Sequence, residues 1–315
     1  MPPRCPRTIR ARAPYLALLL VLSGPGGLAL AHDGLPPEPH DLWMAWSSDP
    51  LAWAALALVT GLYLRGARAL WARAGVGHGL RRWQVAAYVG GLLTLAVALI
   101  SPLDALGSAL LSAHMVQHLL LIAVAAPLLA LGRPTIALLW AVPTRERRQV
   151  GRWWCRASVI QTVWAGLSLP LVAWLLHTAA LWAWHAPPLY QAALDVPILH
   201  GAEHASFLGT GLLFWWTVLV PGPAGAPASE GRRTAYGLGA LSIFALTIQS
   251  GLLGALMTFA PVPWYPAYAG RTTPWGLAPL EDQQLAGLLM WVPGGMIYAA
   301  VALGLLAVWI RPRPA

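Results

Sequence analysis

Apolar residues fill seven stretches of the chain, and each stretch has the length of a membrane-crossing α-helix. About 20 apolar residues are needed to cross the hydrocarbon core, because an α-helix rises about 1.5 Å per residue. The seven predicted spans lie at approximately 46–64, 83–101, 109–131, 159–182, 198–220, 236–260 and 285–310. The pattern therefore predicts an all-α integral membrane protein, a seven-transmembrane helix bundle that occupies residues 46–315.

Basic residues are concentrated in alternate loops of this predicted bundle. Arginines follow the first, third, fifth and seventh spans, whereas the opposite loops hold Arg271 and most of the acidic residues. Because basic residues are retained on the cytoplasmic side, this distribution predicts an N-terminus outside and a cytoplasmic C-terminus. We expect a multi-pass protein of the bacterial cell membrane.

The N-terminal residues have the features of a secretory signal peptide. Several arginines precede an apolar run from Tyr15 to Leu22, and Ala29-Leu30-Ala31 matches a cleavage site. Residues 1–31 are predicted to be a cleaved signal peptide, and residues 32–45 an extracytoplasmic segment. An uncleaved anchor helix is the alternative, and both interpretations place residue 32 outside the cytoplasm.

Prolines and glycines within the spans predict local features of the bundle. Pro170 and Pro293-Gly294-Gly295 are expected to kink their helices, because proline lacks a backbone donor. Gly251 and Gly254 have no side chains and are expected to permit a close helix approach.

Composition narrows the class of protein further. Hydrophobic residues make up 58% of the chain and charged residues 10%, far from the values of a soluble domain. The formal net charge of +9 does not indicate nucleic acid, because the arginines lie in membrane-flanking loops; the lipid bilayer is the predicted partner. With only Cys5 and Cys155 the chain has no CxxC motif, so a metal site must use histidine, methionine or carboxylate.

Two copies of one pattern lie in apolar stretches: His114-Met-Val-Gln-His118 and His200-Gly-Ala-Glu-His204. Residues four apart on a helix face the same way, about 6 Å apart along its axis. Ionisable groups are costly within a span and usually face the bundle interior, where they mark a functional site. A single imidazole in a span is often only an interhelical hydrogen-bonding group, but the repeated spacing favours metal ligation.

The predicted topology places six histidines, within the spans or just beyond them, near the outer surface of the bundle, where they are candidate metal ligands. They are His114, His118, His177, His185, His200 and His204. Possible supporting residues are Glu203, Asp282 and Met115. A carboxylate can orient a ligating imidazole and a thioether favours Cu(I), although Asp282 equally suits a helix N-terminus and methionine commonly serves packing alone.

Four segments together resemble the CtaG-type cytochrome c oxidase assembly factors, from roughly Trp83 to Ile310. They are His114-Met-Val-Gln-His118-Leu-Leu-Leu121 followed by Pro127 and Gly132-Arg133-Pro134; Trp184-His185-Ala-Pro-Pro-Leu-Tyr190; His200 with Glu203-His204 and Phe214-Trp215; and Glu281-Asp-Gln-Gln-Leu-Ala-Gly287 with Met290-Trp291. The four segments together are specific, whereas each one alone is weak.

This resemblance implies an assembly factor for haem-copper oxidase that handles copper and is not an enzyme. The implied partner is an oxidase subunit or another assembly factor. A thiolate copper relay is excluded because paired cysteines are lacking, which leaves a His/Met site. Copper binding should weaken as the pH falls through about 6.5, because the ligand must be neutral imidazole.

Three alternatives remain open at this stage. The first is a haem-binding membrane cytochrome or oxidoreductase, since histidines from two spans can ligate haem. The second is a copper-handling membrane protein without a link to an oxidase. The third, a transporter, would need polar groups in both leaflets, and the cytoplasmic half of the spans is too apolar for that.

Overall fold

The computed structural model describes residues 36–220 and 230–310. The predicted signal peptide, residues 1–31, and the first residues of the predicted extracytoplasmic segment lie outside the described residues. Helices joined by turns and short irregular segments make up this described part, with no strand in it, which confirms the all-α prediction.

The structure contains twelve helices in the described ranges, together with three short 3₁₀ turns. They are α1 Pro50–Ala74, α2 Arg82–Leu99, α3 Pro102–Ala109, α4 Leu111–Leu131, α5 Pro134–Ala141, α6 Thr144–Arg156, α7 Ser158–Leu167, α8 Pro170–His185, α9 Pro187–Asp195, α10 Pro197–Leu219, α11 Glu230–Thr258 and α12 Pro279–Ile310. The turns are Leu42–Met44, Pro266–Tyr268 and Thr273–Trp275.

By length and hydropathy, fewer than seven of the described helices qualify as spans. Five qualify alone, namely α1, α2, α4, the Thr234–Thr258 part of α11, and α12, and the bent pair α7 and α8 makes a sixth if it counts as one span. Helix α10, which matches the predicted span 198–220, has 23 residues but is not among them. Its histidines, glutamate and tryptophans lower its hydropathy. The seven-span count is therefore not confirmed.

Two helix boundaries have clear physical reasons, one that differs from the prediction and one that agrees with it. Helix α1 continues ten residues beyond the first predicted span, so Arg65 and Arg68 lie on the helix rather than in a loop. Gly75, with a φ of 88°, follows its end. Helices α7 and α8 meet at 71°, which confirms the bend predicted at Pro170. Proline suits the first turn of a new helix and favours extended backbone at Leu169.

Helices α11 and α12 form a tightly packed antiparallel pair. A Cβ added at Gly254 would lie 2.8 Å from the carbonyl oxygen of Gly287, and one added at Gly287 would clash with Gly254 and Thr258. The close approach predicted at Gly254 is thus confirmed.

Helix α4 lies inside the bundle, in contact with α2, α10 and α12. Its middle, Leu120–Ala125, is a π-helical segment. Such segments disturb the regular hydrogen-bond ladder, and here the indole Nε1 of Trp215 on α10 donates to the Ile122 carbonyl at 2.7 Å. This bond ties α10 to α4 one turn beyond His118.

Candidate metal centre

The two repeated patterns occupy facing helices. His114 and His118 lie on α4, and Glu203 and His204 lie on α10. All four side chains are buried, with Glu203 fully inaccessible and His114 1% exposed. The spacing of four residues places each imidazole pair on one helix face, and the packing of the two faces brings the pairs together.

These four residues form a compact group of potential ligand atoms. One nitrogen or oxygen from each lies within 4.8 Å of the others. The Glu203 Oε2 atom is 3.7 Å from His114 Nε2, and Oε1 is 3.5 Å from His118 Nε2. Metal–ligand bonds of about 2.0–2.2 Å give ligand separations of about 3.3–3.6 Å in a tetrahedron. Small side-chain adjustments would bring all four atoms to that spacing.

The ligand atoms of this group have no hydrogen-bond partner among the described residues. This is true of the Nε2 atoms of His114, His118 and His204 and of both carboxylate oxygens of Glu203. Burying a carboxylate without partners is costly, and native proteins generally avoid it. A cation bound between the imidazoles and Glu203 would satisfy these atoms together, so the residues present fit a metal ion.

His200 lies beside the group on α10. Its ring centroid is 4.2 Å from that of His204 and 5.3 Å from that of His114, and its Nε2 atom also has no partner in the described part of the chain. It is 8% exposed, so it lies nearer the surface than His114.

His185 reaches the group from the end of α8. Its ring centroid is 5.8 Å from that of His118. Its Nδ1 atom is 2.7 Å from the Leu181 carbonyl oxygen, and its Nε2 atom is 3.2 Å from the Met115 sulfur. Met115 is therefore adjacent to the histidines.

His177 is placed differently from the other five histidines. It lies two turns before His185 on α8, about 12 Å away along the axis. Its Nδ1 atom is 2.9 Å from the hydroxyl of Thr210, and its ring stacks on Phe214. The structure thus brings five of the six predicted histidines together.

Asp282, a predicted supporting residue, contacts the start of α4. Its carboxylate accepts from the Leu111 amide at 2.6 Å and from the Ser112 amide at 3.2 Å, and the Ser112 hydroxyl donates to it at 2.5 Å. The extended backbone of Leu110 separates α3 from α4 and leaves these amides free. Asp282 positions the helix that carries His114 and His118.

A second carboxylate behind the site was not identified from the sequence. The buried amide of Gln117 donates to Asp104 at 2.6 Å and to the Ala98 carbonyl at 2.7 Å. Burial raises the pKa of Asp104 to about 7, and the bond from Gln117 opposes that shift. The available signal was Gln117 itself, a polar residue between the two histidines of an apolar helix.

Three tyrosines enclose the site and were also not predicted as site residues. The hydroxyls of Tyr190 and Tyr268 are 2.8 Å apart, Tyr268 donates to the Gly107 carbonyl, and Tyr265 donates to the His185 carbonyl. Burial is the main cause that raises the pKa of each of these phenols above its usual value, so they remain neutral hydrogen-bond donors. Tyr265 and Tyr268 come from the loop between α11 and α12.

The donor set limits the chemistry that the site can support. Imidazole suits zinc, copper, iron and nickel, and a carboxylate offsets part of the charge of the ion. The four-residue group itself contains no sulfur. The nearby sulfur of Met115 contacts His185, which lies next to the group. The group is suited to a borderline transition-metal ion.

Comparison with known proteins identifies the family. The family model for the cytochrome c oxidase caa3 assembly factor matches residues 61–312. The chain belongs to this family. The match includes every predicted site residue, and it confirms the resemblance seen in the sequence. The members of this family are described as assembly factors of cytochrome c oxidase.

Curated relatives of this family member come from mycobacteria. Uncharacterized proteins of Mycobacterium bovis and Mycobacterium tuberculosis are each 28% identical to it over 281 residues, and one of Mycobacterium leprae is 28% identical over 285 residues. The matches cover 88% of this chain and 41% of each relative, so the chain spans about two fifths of their length. No solved structure matches the chain significantly.

Proposed function

We propose that this protein assists the assembly of a haem-copper oxidase by holding a copper ion in the group formed by His114, His118, Glu203 and His204. The observation that carries the proposal is the convergence of three imidazoles and a carboxylate whose buried ligand atoms have no hydrogen-bond partners among the described residues. In a family of oxidase assembly factors, copper is the transition metal that such a group would serve.

Each ligand has a definite role in this proposal. The three neutral imidazoles donate Nε2 lone pairs to the ion, and Glu203 lowers the net charge that must be buried. His200, whose ring centroid lies 4.2 Å from that of His204, offers a further imidazole beside the site. Copper is cargo in this role, so its release to an oxidase subunit or another assembly factor matters as much as its binding.

We further propose that the site faces the exterior of the cell membrane in a seven-span bundle. His114 and His200 lie near the beginnings of α4 and α10, and His185 is the last residue of α8, so these ends of the three helices lie together. Arginine-rich segments follow the opposite ends of α4 and α10. This arrangement supports α10 as a span and the outer side as the location of the histidines.

Two measurements on a matched pair of variants test the function. The His114→Ala, His118→Ala double variant removes two ligands, whereas His78→Ala removes an exposed histidine from the loop before α2. Each purified protein is assayed for bound copper, and each gene is tested for restoring oxidase activity to a deletion strain in copper-poor medium. Wild type and His78→Ala should bind copper and restore activity, and the double variant should do neither.

The same preparations separate the alternatives. Equal copper retention by the wild type and the double variant would overturn the metal role. Normal oxidase activity in the copper-poor deletion strain would overturn the assembly role. A Soret band with sharp α and β peaks in the reduced wild type would favour a haem protein.

A further inference from the structure

The contact between His185 Nε2 and the Met115 sulfur is not a hydrogen bond, because neither atom carries a hydrogen. A carbonyl oxygen only accepts, so the 2.7 Å contact with Leu181 requires the hydrogen of a neutral His185 ring to lie on Nδ1. The Nε2 atom then carries a lone pair. A thioether sulfur has no hydrogen either, yet it lies 3.2 Å from this Nε2 atom.

Protonating His185 would supply a hydrogen but would bury a charge. The two ring nitrogens contact the Leu181 carbonyl and the Met115 sulfur, and neither contact is with a carboxylate. His185 and Met115 are 2% and 1% exposed. An unpaired buried imidazolium is costly, whereas a bound cation would satisfy both lone pairs.

His118 connects this pair to the four-residue group. It is three residues after Met115, on the same face of α4, and its ring contacts that of His185. Both of its ring nitrogens are buried and lack a hydrogen-bond partner among the described residues. Its Nε2 atom faces Glu203, and its Nδ1 atom is available to a second ion in the tautomer that carries the hydrogen on Nε2.

We propose that Met115, His185 and His118 form a second metal position, specific for a soft monovalent ion, Cu(I), beside the first. The proposal extends the copper role above and rests on it for the identity of the natural ion. Thioether sulfur selects Cu(I), whereas the carboxylate of the first position suits a divalent ion. His118 lies between the two positions and, with one lone pair in its neutral ring, ligates one ion at a time, so the protein holds neighbouring sites of different preference.

The surroundings of the proposed position are apolar and provide a matched control. Met115 packs in one buried cluster with Met257, Tyr190 and Tyr265. Met257 is as deeply buried as Met115, yet its sulfur makes no hydrogen-bonding contact with a histidine among the described residues. Leucine replaces methionine with little change in volume, so Met115→Leu removes the sulfur and Met257→Leu tests packing alone.

The experiment uses the full chain in detergent and two metal probes. Ag(I) is a redox-inert probe for the soft position, and Zn(II) is a probe for the first position. Affinities are measured by competition titration, and X-ray absorption at the silver edge reports whether sulfur is bound. The variants are Met115→Leu, Met257→Leu and Glu203→Gln.

The wild type should bind Ag(I) with sulfur in its coordination shell. Met115→Leu should remove the sulfur signal and leave Zn(II) binding unchanged. It should weaken Ag(I) binding at least about tenfold, since even the loss of a residue that only orients a metal ligand typically costs that much. Met257→Leu should leave both ions unaffected. Glu203→Gln should weaken Zn(II) and spare Ag(I).

Several outcomes would overturn the second position. They are absence of Ag(I) binding or of a sulfur signal in the wild type, wild-type Ag(I) affinity in Met115→Leu, and equal loss of both ions in that variant. If any of these occurs while the wild type still binds copper through His114 and His118, the proposed function stands without the second position. If the wild type binds Ag(I) through sulfur but fails the copper-binding and oxidase tests above, the second position stands and the proposed function does not.

Discussion

At the residue scale, the candidate site depends on a carboxylate that contacts neither imidazole of α4. Asp282 accepts three hydrogen bonds from the first turn of α4. Two of the donors are backbone amides that no carbonyl within that helix can pair with. His114 and His118 follow on the next turns. The carboxylate therefore determines where these imidazoles lie, although it contacts neither ring.

Asp282→Ala is expected to destabilise the protein and to weaken metal binding together. Loss of a buried charged acceptor typically costs about 1.5–3 kcal/mol, and α4 would start less regularly. Thermal unfolding in detergent and a Zn(II) titration measure the two effects. Glu281→Gln is the control, because glutamine keeps an acceptor for the Ala278 amide and the residue is exposed. Full metal affinity in a destabilised Asp282→Ala would rule out the positioning role.

At the element scale, the close contact of α11 and α12 holds Asp282 in place. Both helices approach through Gly254 and Gly287, where no side chain separates their backbones. Helix α12 also packs on α4 near its first turns. A shift of α12 would therefore move the carboxylate away from Leu111 and Ser112.

Two glycines of α12 should respond oppositely to alanine. In Gly287→Ala the new methyl would lie 2.6 Å from the Thr258 hydroxyl, and such overpacking costs about 1–3 kcal/mol. In Gly304→Ala the methyl meets nothing within 4 Å, so alanine's better helix propensity should leave stability equal or raised by up to about 1 kcal/mol. Thermal unfolding of both variants checks the signs. A neutral Gly287→Ala would show that the helices separate at little cost.

At the scale of the whole molecule, the sequence contained the ligands but not their full arrangement. The spacing of His114 and His118 predicted a shared helix face, because helical periodicity is local. Contacts such as Met115 with His185, or Tyr268 with Gly107, join residues far apart in sequence and follow only from packing.

The hydropathy of α10 shows the limit of the same reasoning. The apolar run of this helix predicts a span, yet the residues that form the candidate site lower its mean hydropathy below that of the helices that qualify as spans. Hydropathy treats each residue as exposed to lipid, whereas Glu203 is buried against α4. A functional site thus weakens the signal by which its own helix is recognised.

Whether α10 crosses the membrane determines the orientation of everything after it. With the N-terminus outside and seven spans, reporters fused after Val220 or Ile310 should be cytoplasmic, and one fused after Gly270, between α11 and α12, should be outside. Green fluorescent protein and alkaline phosphatase, active on the inner and outer sides respectively, report these positions. A fusion after Gly151 in α6 is the control, because it precedes α10 and should be cytoplasmic in either case. If α10 did not cross, the signals after Val220, Gly270 and Ile310 would all reverse while that after Gly151 would not.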